Sequence, residues 1–545
     1  MERIKTKAFS FITAFLMVFA FFTLLPEGTL TANAQTQTYE LKLFGTQVTS
    51  DNAKDILGDG AASYDAASNT LTIKKDITKT DYILKNEIKG LTIKTTKALT
   101  LKSTNDPGLW LIKDATIQTN GKLTIKVPSG SYAIFCSITD SNNPVITIKD
   151  SDIEFNTSTG INGYNNNSTL NIINSHIKME TSDAGNGAIS RFNKGVFLTN
   201  CFVKTPADAV IKNGGLYPSS TSTAPVKSAE ICRGRLAGKN RYATAAVISQ
   251  TSFDTASNVI LASGASYADA LAGVPLAKKL DAPILLTTPD TLSAETLAEI
   301  NRLGAKNVTI LGGEGAVSKS VENALIAKGC KVDRIQGKSR FGTAAAIADK
   351  INTAPTDLFF VYGLDYADAL SVSPVASNMG APIIYLTKDG DMNAETAAYL
   401  AALKKKGCVK AAYVIGGEGV ISNAMMQKAS DAIGLVSGKQ VTRVSGANRY
   451  STCLKVNTSF EFSVQNSMIC AATGLDFPDA LAGGVFAAKH AAPLFLVNGK
   501  ASPSLTSEQK QYLSDKQPNG MAIFGGEGVV TDKTVSEINA ASVSK

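Results

Sequence analysis

The sequence predicts a multidomain chain of two unlike architectures. The first half is all-β, read as a parallel β-solenoid with a β-sandwich as the alternative, and the second half is three α/β modules. In the first half, short runs such as Leu71-Thr-Ile-Lys74, Leu91-Thr-Ile-Lys94, Leu123-Thr-Ile-Lys126, Ile146-Thr-Ile-Lys149 and Leu170-Asn-Ile-Ile173 recur at intervals of about 20 to 32 residues. In the second half, an apolar run, a Gly-containing turn and an aromatic or Pro before Asp-Ala-Leu occur together three times, at 259–271, 360–370 and 469–481.

From the start, Arg3, Lys5 and Lys7 precede an apolar run from Ala8 to Leu25 and then Ala32-Asn33-Ala34. That is the order of an export signal, so residues 1–34 are read as a signal peptide cleaved after Ala34, with an uncleaved anchor as the competing reading. No second run approaches the roughly 20 apolar residues that cross a bilayer, so no membrane span is expected after cleavage. A formal charge of +8 over 545 residues is modest and spread out, which argues against nucleic acid as a partner.

Over 35–217, alternating apolar and polar residues turn one face of each strand inward, and Asn, Asp, Gly and Ser break any helix. A second strand type, led by a polar turn, sits between the first: Asp114-Ala-Thr-Ile117, Asp150-Ser-Asp-Ile153, Asn174-Ser-His-Ile177 and Thr199-Asn-Cys-Phe202. This spacing aligns His176 with Asp152 and Cys201 at an outward position. Asp150, Asp152 and Glu154 are the carboxylates a glycan-cleaving site could use, but turns and solvated strand faces account for them more simply. Trp110 is read as packing rather than as a sugar platform.

Residues 218–227 are rich in Ser, Thr and Pro and are read as a solvated linker. Modules then run over 228–330, 331–437 and 438–545. Near-continuous apolar strands such as Val308-Thr-Ile-Leu311 and Tyr413-Val-Ile415 alternate with helical stretches at 291–303 and 395–403, which implies a mainly parallel sheet covered on both faces.

Each module carries polar motifs at the carboxyl ends of its strands, where such sheets place functional loops. Asp269, Asp368 and Asp479 each fall in a first helical turn, which the helix dipole favours. The Gly-Gly-Glu-Gly runs at 312–315, 416–419 and 525–528 carry a carboxylate (Glu314, Glu418, Glu527) and lack the Lys-Ser/Thr of a nucleotide loop, so they read as structural turns. The arginine pairs Arg235/Arg241, Arg334/Arg340 and Arg443/Arg449 suit an anionic ligand, because a guanidinium matches phosphate or carboxylate; pairing with the Asp of a neighbouring turn is the alternative.

Seven cysteines (Cys136, Cys201, Cys232, Cys330, Cys408, Cys453, Cys470) form no C-x-x-C pair and no repeat pattern, which indicates neither a disulfide framework nor a zinc site. The histidines are His176 and His490 alone.

Taken together, Arg-x-x-Gly-x-x-Arg-[Tyr/Phe], Gly-x-x-[Tyr/Phe]-[Ala/Pro]-Asp-Ala-Leu, the Pro-led strands and Gly-Gly-Glu-Gly, in order and three times over, resemble the cell wall binding repeat 2 family of clostridia and their relatives. The resemblance implies Toprim-like modules about a pseudo-threefold axis, holding a secreted protein noncovalently on an anionic cell-wall polysaccharide at the cell surface. It also implies polymer attachment near the Pro-led strand. Pro283, Ile284, Leu285 and Leu286 match that segment fully; Pro382, Ile383 and Ile384 with Tyr385, and Pro493 and Leu494 with Phe495, match in part. A core role for these strands is the simpler reading.

Members accompany autolysins, but two isolated histidines do not supply a zinc amidase site. The chain is therefore expected to be a binding protein with no catalytic residues, cofactor or metal. Its first half would be displayed to surface-layer proteins or host glycans, and a wall-anchored polysaccharide lyase or hydrolase is the alternative.

Overall fold

A computed structural model describes residues 35–543 except 106, 137–142, 165–166, 183–185, 208, 436–440 and 462–467. The expected signal peptide lies outside the described residues.

In the first half the chain passes through three seven-stranded sheets in turn, and every strand from Thr70–Ile73 to Thr169–Ile173 pairs in parallel with the third one along, while the first and last strands pair antiparallel. One parallel ladder joins Leu91–Thr95, Ala115–Gln118, Val145–Lys149, Thr169–Ile173 and Gly195–Thr199 in unbroken register. A second joins Leu99–Ser103, Lys122–Lys126, Asp152–Asn156 and His176–Glu180. A third joins Leu84–Asn86, Leu109–Leu111, Tyr132–Cys136 and Thr159–Asn162. Period-two alternation turns Leu91, Ala115, Ile146, Leu170 and Val196 inward in one buried column, and Ile125, Phe155 and Met179 in another.

Asp150, Asn174 and Asn200 stack at one corner with φ near +50°, a conformation Asn and Asp tolerate. Asn174 donates to Asp150 (2.9 Å) and Asn200 to Asn174 (3.1 Å), so Asp150 serves as a corner residue.

The end of this half departs from the expected linker. After Gly215–Tyr217, Val226 is buried and hydrogen-bonds back to Leu216, and Ser228–Arg233 returns antiparallel between His176–Glu180 and Cys201–Thr205. The returning strand has apolar residues at alternate positions (Ala229, Ile231) that complete the buried column. The change of architecture therefore falls at Gly234. The expected alignment of His176 with Cys201 is corrected for the same reason: the inserted strand separates them, and Cys201 points inward to accept from the Ser175 backbone N–H.

The second half contains three four-stranded parallel sheets. The first orders Ile284–Thr287, Asn258–Ser263, Asn307–Leu311, Lys331–Ile335, and the second orders Ile383–Leu386, Asp357–Tyr362, Ala411–Ile415, Thr442–Val444. The third orders Leu494–Val497, Ile469–Thr473, Met521–Phe524, and its fourth strand is Arg235–Leu236 from the start of the repeat array. Each sheet is thus finished by the strand that opens the next repeat, and the last is finished by the first.

Helices Val274–Lys279, Ala367–Met379 and Pro478–Lys489, one per module, pack against one another. At their meeting point a Cβ on Gly484 would lie 2.9 Å from Ser373 Oγ and 3.4 Å from Val274, so small side chains allow the close approach. One apolar core runs through all three modules and takes in Phe202 from the first half. Phe202 meets Phe486 edge-on at 5.2 Å, and Phe486 stacks on His490 at 4.0 Å. Burial holds the His490 imidazole down to about 4, so it is a neutral core residue. All seven cysteines are free.

Candidate functional site

The three Asp-Ala-Leu turns converge where the modules meet. Tyr267, Tyr366 and Phe477, the aromatic of each motif, form a triangle with ring centroids 5.5, 5.7 and 6.4 Å apart. Edge-on aromatic contact of this kind adds to apolar burial.

The second arginine of each pair sits over the triangle in cyclic order. Arg241 of the first module lies 5.7 Å from the Phe477 ring of the third, Arg449 of the third lies 5.5 Å from Tyr366 of the second, and Arg340 of the second lies 5.6 Å from Tyr267 of the first. Each also donates to the glycine carbonyl of its own module: Arg241 to Gly264, Arg340 to Gly363, Arg449 to Gly474. These glycines are needed because a Cβ would strike the ring of Tyr242, Phe341 or Tyr450, the residue after each arginine.

The three stations differ in charge. Arg241 pairs with Asp476 (3.4 Å) and Arg449 with Asp365 (3.5 Å), each carboxylate coming from the residue before the aromatic. At the third station that residue is Ser266, and among the described residues Arg340 has no carboxylate within ion-pair distance. About a third of the Arg241 and Arg449 side chains is exposed, Arg340 is half-buried, and Leu364 and Leu475 stand out at 50% exposure beside them. The surface is a ring of cations over aromatic carbon, with one cation unneutralised.

The first arginine of each pair does different work. Arg235 donates to the carbonyls of Gly525 (3.0 Å) and Val530 (2.8 Å), Arg334 to Gly312 and Val317 (both 2.9 Å), and Arg443 to Gly416 (2.7 Å) and Ile421 (2.8 Å). These arginines brace the Gly-Gly-Glu-Gly turns. The leading glycine of each turn has φ between 101° and 111° and lies against Asp269, Asp368 or Asp479, so both features exclude a side chain. Burial, with Asp365 nearby, pushes the Asp368 carboxyl up to about 7; burial, with Asp476 nearby, pushes Asp479 up to about 6.

The Pro-led strands are buried beneath this surface, their carboxyl ends hydrogen-bonded to the glycines that the arginines hold, as Thr287 is to Gly264 and Leu386 to Gly363. Pro283, Ile284, Leu285 and Leu286, Pro382, Ile383 and Ile384, and Pro493 and Leu494 are all buried. Tyr385, where the second copy departs from the pattern, reaches into the first module, and its hydroxyl accepts from the Ala272 N–H at 3.0 Å.

In the first half, Trp110 has Lys85 4.8 Å over its ring and Phe135 stacked at 5.3 Å, so its neighbours in the ladder occupy its faces. Glu154 is ion-paired with Lys122, and Asp152 accepts from His176 Nδ1 at 3.1 Å. The other imidazole nitrogen faces Glu230 at 3.2 Å, and Glu230 is held at about 2, chiefly by His176. Sequence reasoning missed this cluster, as well as the aromatic triangle, whose only signal was an aromatic at one fixed place in three copies.

Comparison with known proteins matches residues 235–322, 334–426 and 443–535 to the family profile Cell wall binding domain 2 (CWB2). Over 304 residues the chain is 34% identical to the N-acetylmuramoyl-L-alanine amidase LytC of Bacillus subtilis, covering 56% of this chain and 57% of that one. Over 285 residues it is 30% identical to the amidase enhancer of the same organism, covering 52% and 37%. Among solved structures, Cwp6 from Clostridium difficile aligns with a TM-score of 0.52 at 30% identity, covering 60% of this chain and 51% of that one. Cwp8 from the same organism aligns at 0.50 and 30%, covering 57% and 51%. The chain thus spans less than two thirds of the length of each of these relatives.

Proposed function

The chain belongs to the cell wall binding domain 2 family and is a secreted protein of the cell wall surface, and from that premise we propose that its three modules grip an anionic cell-wall polysaccharide noncovalently. The observation that carries the reading is the arginine ring, above all Arg340, which has an aromatic beneath it and, among the described residues, no carboxylate within ion-pair distance. An acidic sugar offers an anion to the guanidinium and C–H faces to Tyr267, Tyr366 and Phe477. Arg241, Arg340 and Arg449 are the contacts proposed. Arg235, Arg334 and Arg443 and the Pro-led strands are proposed to support the grip from within.

We read the modules as Toprim-like units about a pseudo-threefold axis, supported by the cyclic strand exchange and the packed central helices. The first half is read as a parallel β-solenoid, supported by the parallel pairing of each strand from Thr70–Ile73 to Thr169–Ile173 with the third along. Its proposed role is display for adhesion, with host glycans or surface-layer proteins as partners. A binding role is favoured over that of the amidase relative because His490 is a packed core residue and Asp152 and Glu154 are engaged internally.

The test is retention of the full chain on purified cell walls. Raised salt should release it, and Arg340→Ala should weaken binding about tenfold, as expected for loss of a charge-assisted contact. Undiminished retention on walls stripped of anionic polymer, or an Arg340→Ala variant that binds as well as the parent, would refute the reading.

A further inference from the structure

We propose that His176, Glu230 and Cys232 form a binding site for a divalent metal ion of the zinc class, at the joint between the two halves.

The site is built by the antiparallel strand Ser228–Arg233, the last of the first half before the chain enters the modules. On Ser228–Arg233, residues 230 and 232 share one face, opposite the inward Ala229 and Ile231. Pairing of Ile177 with Ile231 brings His176 directly across from Cys232, while Lys178 pairs with Glu230. Three potential ligands thereby meet although 54 residues separate His176 from Glu230.

The distances suit a tetrahedral ion. His176 Nε2 lies 3.2 Å from Glu230 Oε1, Cys232 Sγ lies 3.8 Å from the same oxygen, and all three ligand atoms are within 4.8 Å of one another. With metal bonds of about 2.0 to 2.3 Å, tetrahedral ligand atoms stand about 3.4 to 3.6 Å apart. Little movement is needed.

The surroundings support coordination. Asp152 holds His176 Nδ1 at 3.1 Å, the arrangement that leaves Nε2 directed at a metal. Lys204 Nζ straddles the Glu230 carboxylate, 3.3 Å from Oε2 and 3.4 Å from Oε1, so it swings toward Oε2 when a metal takes Oε1, and it lies 3.5 Å from Asp254 in the first module. One lysine therefore orients the ligand carboxylate and ties the site to the second half. Imidazole, carboxylate and thiolate together favour zinc over calcium or magnesium, which take oxygen alone. On binding, the Cys232 thiol gives its proton to solvent, and a fourth position stays open to water.

The experiment titrates cobalt(II), which reports thiolate ligation by colour, into full-length protein freed of metal by a chelator. Expected are saturable uptake with a near-ultraviolet thiolate band and visible bands of four-coordinate geometry, both erased by added zinc. Cys232→Ser should abolish the near-ultraviolet band, and Asp152→Asn should weaken binding about ten- to a hundredfold. Cys408→Ser, at a cysteine remote from the joint, should change nothing. Absence of cobalt uptake, or the same thiolate band in Cys232→Ser, would overturn the site. Should Cys232→Ser fail to fold, the outward-facing Asp152→Asn variant decides alone, and affinity equal to the parent would count against the proposal.

Discussion

Around the aromatic triangle, two stations pair an arginine with an aspartate, and at the third a serine, Ser266, stands at the position of that aspartate. The stations share an arginine, an aromatic and a glycine and differ at Ser266 against Asp365 and Asp476; the first copy also departs from the expected helix start, since Asp269 precedes a 3-10 turn at Leu271–Gly273, whereas Asp368 and Asp479 fall in the first turn of their helices. Repeats that preserve an architecture need not preserve a function: the shared parts hold the ring together, and the variable position decides which cation is free. The first arginines teach the converse, since Arg235, Arg334 and Arg443 find equivalent carbonyls in all three copies.

The largest effect should come from the shared parts. Arg235→Ala removes the bonds to Gly525 and Val530 and leaves their carbonyls without that donor, at a cost of about 3 kcal/mol. Arg334→Ala and Arg443→Ala should cost similar amounts in chemical denaturation, and a much smaller loss at one position would break the equivalence.

Next is a pH effect that separates the copies. Folded Asp368 keeps its proton up to about 7, well above the ordinary 3.8, so the folded state binds the proton more tightly than the unfolded one. Its contribution to stability is full below about pH 4 and is lost as pH rises through 7; Asp479 follows through about 6. Asp368→Asn should flatten the fall by on the order of 2 kcal/mol. Melting curves from pH 4 to 8 with an unchanged slope would refute this.

Ser266→Asp sharpens the comparison most directly. It gives Arg340 the carboxylate the other stations have, and wall affinity should fall about fivefold, near the value of an exposed ion pair, with stability unharmed. Asp365→Asn should act in the opposite direction, and equal binding by both variants would sink the unequal-station idea. The smallest effect is expected from Tyr385→Phe, which removes one inter-module hydrogen bond and should cost about 1 kcal/mol by denaturation.

Much of the second half was legible because its motifs recur in order, and recurrence separates signal from composition. The fate of its side chains was less so. Arg235 and Arg241 look equivalent in sequence, yet one braces a turn of the third module and the other caps that module's aromatic, and neither partner is near in the chain. In the first half the apolar runs were visible, but their sorting was not. Leu123-Thr-Ile-Lys126 resembles Leu91-Thr-Ile-Lys94 and lies in a different sheet, whereas Ala115 to Ile117 aligns with it. A turn of three strands with variable loops blurs a simple period, and strands as short as Leu109–Leu111 add little signal. The cluster at His176 was hidden because Ser228–Arg233 runs back against the coil direction, which no spacing rule anticipates.

The strand Arg235–Leu236 finishes a sheet whose other members are not made until residues 469–524. A chain emerging amino-terminus first therefore carries its own clasp from early on, with nothing yet to fasten it to. The third sheet closes only when the last unit has been made, so the proposed attachment to the wall should be a property of the finished molecule. A product truncated before that point keeps an unpaired Arg235–Leu236 and, on the proposed reading, should not hold to the wall.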